Sequence, residues 1–62
     1  EMLKSIVASR DLSKNLKLKY KYLAFKSPGG GLKPYEYKKL VNKRLKEDIK
    51  KDQQILLKNL KK

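Results

Sequence analysis

The segment Asp11-Leu12-Ser13-Lys14-Asn15-Leu16-Lys17-Leu18 recurs 37 residues later as Asp48-Ile49-Lys50-Lys51-Asp52-Gln53-Gln54-Ile55. Both copies read Asp, aliphatic, any residue, Lys, Asn or Asp, two more, aliphatic. Asn and Asp tolerate the left-handed backbone conformation better than most residues. One turn used twice between short strands therefore fits both copies. In a chain of 62 residues this suggests a pseudo-symmetric fold in which residues 48–55 are not helical.

A rival pattern runs through the same residues. Tyr37, Leu40, Val41, Leu45, Ile49, Leu56 and Leu60 fall near helical spacing, and Lys, Leu, Glu and Gln are good helix formers. Periodicity alone predicts one basic helix from about Tyr35 to Leu60. The repeat and the helix exclude each other over residues 48–55.

The first half reads as strands and turns. Ser5-Ile6-Val7-Ala8 is a short apolar run with a β-branched pair, as expected of a strand entering a core. Arg10 to Asn15 reads as a turn. Leu16, Leu18, Tyr20 and Tyr22 then alternate with Lys17, Lys19 and Lys21, predicting a strand with one wet face; Leu23-Ala24-Phe25 closes it. Lys26-Ser27-Pro28-Gly29-Gly30-Gly31 is the clearest break, because Pro28 fixes φ while three glycines free the backbone. Lys33-Pro34 can open a helical turn, since proline is tolerated at the first helical position.

Composition limits the chemistry. A chain this short makes one small domain, burying about 60% of the surface its unfolded form exposes. Cysteine and histidine are both absent. No disulfide framework is available, and the commonest general base is missing. Catalysis by this chain alone is not expected. The lack of cysteine fits a reducing, cytoplasmic setting. No apolar run approaches the roughly 20 residues that span a bilayer. Met2 to Ala8 is too short and too interrupted for a signal peptide, and Glu1 ahead of Met2 reads as the edge of an excised piece or as a cloning remnant. Eighteen Lys or Arg against six Asp or Glu give a formal charge of +12, a field that attracts polyanions. Sixteen of those cations are lysines spread along the chain, whereas planar recognition of phosphate favours Arg.

The ordered set Ser5 to Ala8, Arg10-Asp11-Leu12 with its turn, Lys26 to Pro34, Tyr37 to Leu45 and the second Asp-aliphatic-x-Lys turn at Asp48 resembles the antifreeze-like, or SAF, domain. The version at the C-terminus of N-acetylneuraminate (sialic acid) synthases is especially similar. The resemblance runs from about Ser5 to Leu60. It implies a mainly β fold with short helical turns, a compact β-clip with internal pseudo-twofold symmetry. Residues 1–62 would form this one domain, cut from an enzyme with an N-terminal (β/α)8 barrel. In that setting Lys19 to Leu23 holds a helical turn.

In the synthases the barrel condenses phosphoenolpyruvate with an N-acetylated amino sugar, using a divalent metal (Mn or Mg) held in the barrel; no cofactor is expected in this chain. The resemblance implies a homodimer in which the domain covers the barrel mouth of a second subunit, as active-site lid and dimerisation element close to the amino sugar. The substrate-proximal loop would be Lys26, Ser27, Pro28, Gly29, Gly30 and Gly31. The family loop usually reads Lys-Arg-Pro-Gly-x-Gly, its Arg contacting the sugar. Ser27 stands in that Arg's place here, a short neutral hydroxyl instead of a cationic fork. The family's turn glycine is replaced by Asn15 and Asp52.

Two other functions compete. Tyr20, Tyr22, Tyr35, Tyr37 and Phe25, interleaved with lysines, could stack single-stranded nucleic acid; aromatics at such spacing more often cover a core, so nucleic acid is the lesser expectation. Ice binding follows from the free-standing type III antifreeze relatives. The corresponding face would include Arg10, Asp11, Lys14, Lys17, Lys19 and Lys21, whose strongly hydrated charges suit an ice-like layer poorly. Glu47, Asp48 and Asp52 carry no ligand geometry of their own.

Overall fold

The computed structural model describes residues 4–61; Glu1, Met2, Leu3 and Lys62, including the Glu1–Met2 junction, lie outside the described residues. Two strands, β1 (Ser5–Ala8) and β2 (Leu23–Lys26), pair antiparallel with Ser5 opposite Lys26 and Ala8 opposite Leu23. Three short 3-10 turns follow the same chain, Tyr20–Tyr22, Pro34–Lys39 and Leu57–Asn59. The rest of the described residues form extended segments and tight turns. Ser5, Ile6, Val7 and Ala8 are all buried, because β1 is flanked on one edge by β2 and on the other by residues 53–55 and Leu32.

The 37-residue repeat is the fold's symmetry. Leu12 and Ile49 lie opposite each other and exchange both backbone hydrogen bonds, at 2.7 and 2.9 Å. They sit where a twofold axis would pass. Around them the bonds come in mirrored pairs. The Ala8 N–H donates to Gln53 O as the Leu45 N–H donates to Leu16 O. The Ile55 N–H donates to Ile6 O as the Leu18 N–H donates to Lys43 O, and Ser9 to Tyr22 O matches Lys46 to Asn59 O. The side chains obey the same rule. Asp48 Oδ1 accepts the Lys14 N–H at 2.7 Å, and Asp11 Oδ1 accepts the Lys51 N–H at 2.8 Å. Asn15 and Asp52 take φ of 74° and 70°, as the repeat requires of its turn position.

The core is built from the same equivalences. Ala8 and Leu45, Leu12 and Ile49, Leu18 and Ile55 are mirror partners, and all six are buried. Ile6, Leu23 and Leu40 complete the cluster. With nine residues forming the core, each matters; a large-to-small change at Leu45 or Ile55 would cost about 2–5 kcal/mol.

The long helix is therefore absent. Pro34–Lys39 is a 3-10 segment and stops at Leu40. Asn42 and Asp52, inside the predicted helix, have positive φ, which a right-handed helix cannot accommodate. Leu45, Ile49 and Leu60 reach the core from separate extended pieces, through bridges Leu45–Leu60 and Leu12–Ile49. The alternation from Leu16 likewise ends early. Lys17 bridges Arg44, but at Tyr20–Tyr22 the chain makes a 3-10 turn, the Tyr22 N–H donating to Lys19 O. The strand resumes as β2, so Leu23-Ala24-Phe25 opens a strand where it was expected to close one.

Candidate functional site

The loop after β2 connects the two halves of the molecule, and its inner edge is fixed by one buried hydroxyl. Ser5 Oγ donates to Pro28 O at 2.9 Å and accepts the Gly31 N–H at 3.1 Å. The Gln54 amide approaches the same oxygen at 3.4 Å. Beyond it the Ile6 N–H donates to Leu32 O. Ser5 is fully buried, so these bonds form away from water, where leaving one unmade is costly. The loop's outer edge is open: Lys26, Ser27, Pro28 and Gly30 are exposed, while Gly29 and Gly31 are partly covered. A segment fixed along one edge and open along the other can face a second surface without unfolding.

The six loop residues do not all point at one place. Lys26 Nζ lies 2.7 Å from Asp52 Oδ1, tying the end of β2 to the second copy of the repeated turn. That hydrogen bond, with the nearby charge of Lys26, holds the Asp52 carboxyl below its usual value. Ser27 is exposed at the turn into Pro28. Its short side chain offers a hydroxyl donor and acceptor and no charge.

The aromatic residues form two groups. Tyr20 packs edge-on against Tyr37 with ring centroids 5.1 Å apart, and tilted against Phe25 at 6.1 Å. Arg10 and Lys21 lie over the Tyr22 ring at 5.2 and 5.6 Å. Tyr35 stands apart, 74% exposed. Tyr37, Phe25 and Tyr22 pack against the core cluster, so three of the five rings cover apolar surface.

The five described carboxylates are occupied. Asp11 and Asp48 hold backbone N–H groups, and Glu47 accepts from Asn59. Asp52 pairs with Lys26. Glu36 accepts from Lys39 Nζ at 2.9 Å and from the Lys33 N–H at 2.9 Å; these bonds hold its carboxyl low and the Lys39 ammonium high. Glu47, Asp48 and Asp52 thus serve separate partners. Among the described residues no group of three His, Cys, Asp or Glu could hold a metal ion. Among the described residues no helix is long and apolar enough to cross a membrane.

The family model of the SAF domain matches residues 4–61. The chain belongs to the SAF domain family. Comparison with curated proteins gave no match. The matched span takes in both copies of the repeated turn and the whole loop of this SAF domain. Two features, one at the site and one in the fold, leave no local signal in the sequence or a misleading one. Ser-Ile-Val-Ala predicts only a strand, and nothing in it signals that the Ser5 hydroxyl faces a loop more than twenty residues away. Asn42 was absorbed into the helix pattern, although Asn is the residue type a left-handed position favours.

Proposed function

We propose that this SAF domain is the C-terminal lid and dimerisation element of a sialic acid (nonulosonic acid) synthase-type enzyme. It would cover the mouth of a partner subunit's barrel during condensation of phosphoenolpyruvate with an N-acetylated amino sugar. The observation that carries the reading is the loop 26–31. Its inner edge is tied to buried Ser5 and its outer edge is open, the geometry a preformed lid needs. The domain is an accessory in this reading, and the reacting groups and divalent metal belong to the barrel. Ser27 would meet the sugar through a neutral hydrogen bond, favouring an uncharged acyl or hydroxyl group over a carboxylate.

The test is the size of the native product, read by immunoblot of source cells with an antibody against this domain. A barrel of about 250 residues fused to it gives a band at roughly 35–40 kDa. A band near 7 kDa would remove the lid reading, because the domain would then work alone.

A further inference from the structure

The internal symmetry allows one half of the molecule to be read against the other, and at one place the halves disagree sharply. Arg44 and Lys17 lie directly opposite each other. The flanking bonds, Leu45 to Leu16 O and Leu18 to Lys43 O, make them a non-hydrogen-bonded pair, the kind whose side chains come closest. Lys61 joins them from the neighbouring segment, its N–H donating to Arg44 O. Two of these cations converge on one residue. Arg44 Nη1 donates to Asn15 O at 3.0 Å, and Lys61 Nζ donates to Asn15 Oδ1 at 2.8 Å.

The mirror positions, 37 residues away, are Val7, Gln54 and Ala24, with Asp52 in the place of Asn15. There the surface is closed and neutral. Val7 is buried, Gln54 packs under Gly31, and Asp52 is paired with Lys26. The same backbone thus carries three exposed cations in one half and none of its own in the other. The carboxylate that could neutralise them is replaced by an amide. No carboxylate among the described residues accepts from Lys17, Arg44 or Lys61, and the five described ones are engaged elsewhere. Like charges directly opposite on paired strands destabilise a fold. A cluster kept at that cost suits an anion.

We infer that Lys17, Arg44 and Lys61 form a binding site for a phosphate group, as inorganic phosphate or a small phosphomonoester. Arg44 supplies the planar fork that oxyanions favour and the two lysines supply point charges. Two charges turned on Asn15 with a third directly opposite Arg44 match a single dianion better than an extended phosphodiester backbone. The site does not depend on the lid reading.

Inorganic phosphate titrated into the isotope-labelled chain at constant ionic strength, followed by amide NMR, tests this directly. The amides of Asn15, Lys17, Arg44 and Lys61 shift saturably, and those of Val7, Ala24 and Gln54 do not. Arg44→Gln weakens the apparent affinity about tenfold, the loss of one charge-assisted hydrogen bond. Lys17→Gln also weakens it, yet melts no lower than the parent, because it relieves repulsion; a purely structural residue would behave in the opposite way. Glycerol phosphate reproduces the phosphate shifts, whereas a short thymidine oligonucleotide does not compete for them. Shifts spread over all exposed lysines, affinities unchanged in both variants, or an oligonucleotide that outcompetes phosphate would each overturn the site.

Discussion

Gly30 and Gly31 are neighbours in the loop, and they are glycine for different reasons. Gly30 has φ of 111° with nothing within 4 Å of where a Cβ would stand. Its constraint is the backbone, since an L side chain is strained there whatever the space. Gly31 has ordinary φ, but an added Cβ would come within 2.8 Å of Gln54 Oε1 and 3.1 Å of its Cδ. Gly30→Ala should cost about 1–3 kcal/mol, and no second substitution nearby should restore it. Gly31→Ala should cost less, about 1 kcal/mol by analogy with mild overpacking, and Gln54→Ser should recover most of that by withdrawing the obstructing amide. Urea denaturation of the four variants decides it. If Gln54→Ser rescued Gly30→Ala instead, the assignment of backbone strain to Gly30 would be wrong.

At the scale of elements, the left-handed turn residues decide which of two sequence patterns is obeyed. Leu40, Leu45, Ile49 and Leu60 carry a helix-like spacing because short extended pieces deliver apolar residues to the core at intervals that happen to resemble helical ones. A positive φ at Asn42 and again at Asp52 ends that possibility, and a 3-10 turn is all that survives after Pro34. Asn42→Gly should therefore be neutral or mildly stabilising, while Asn42→Ala should lose about 1 kcal/mol or more. In a helix the order would reverse, because Gly is worse than Ala there by about 1 kcal/mol. Thermal melts of the two variants separate the cases.

The same residues explain how much was legible. The repeat announced the twofold arrangement, the turn at Asp52 and the non-helical 48–55, since those depend on local backbone preference. Ser5 beneath the loop, Lys26 on Asp52 and the Lys17–Arg44–Lys61 cluster depend on which distant segments meet, and no local pattern encodes that.

For the whole molecule, charge density is the dominant stress. A net charge of +12 sits on a body of 29 × 19 × 19 Å. At about 10 mM salt the Debye length is about 30 Å, so every cation repels every other across the full length of the domain. At about 0.15 M it falls to about 8 Å, and only neighbours still interact. The ion pairs among the described residues that salt would weaken are Lys26–Asp52, exposed on both sides, and Lys39–Glu36, whose carboxylate is partly covered; surface pairs of this kind add little. Relief of repulsion should win, so the melting temperature should rise with sodium chloride between those concentrations. Each 1 kcal/mol recovered corresponds to about 4–8 °C in a domain of this size. Chloride is the right salt, because it lacks the geometry of the proposed phosphate site; added phosphate at matched ionic strength should then raise the melting temperature further, and Arg44→Gln should shrink that second increment. A melting temperature that fell with sodium chloride would mean that the native ion pairs outweigh the repulsion, and would require carboxylate contacts stronger than surface pairs such as Lys26–Asp52 and Lys39–Glu36.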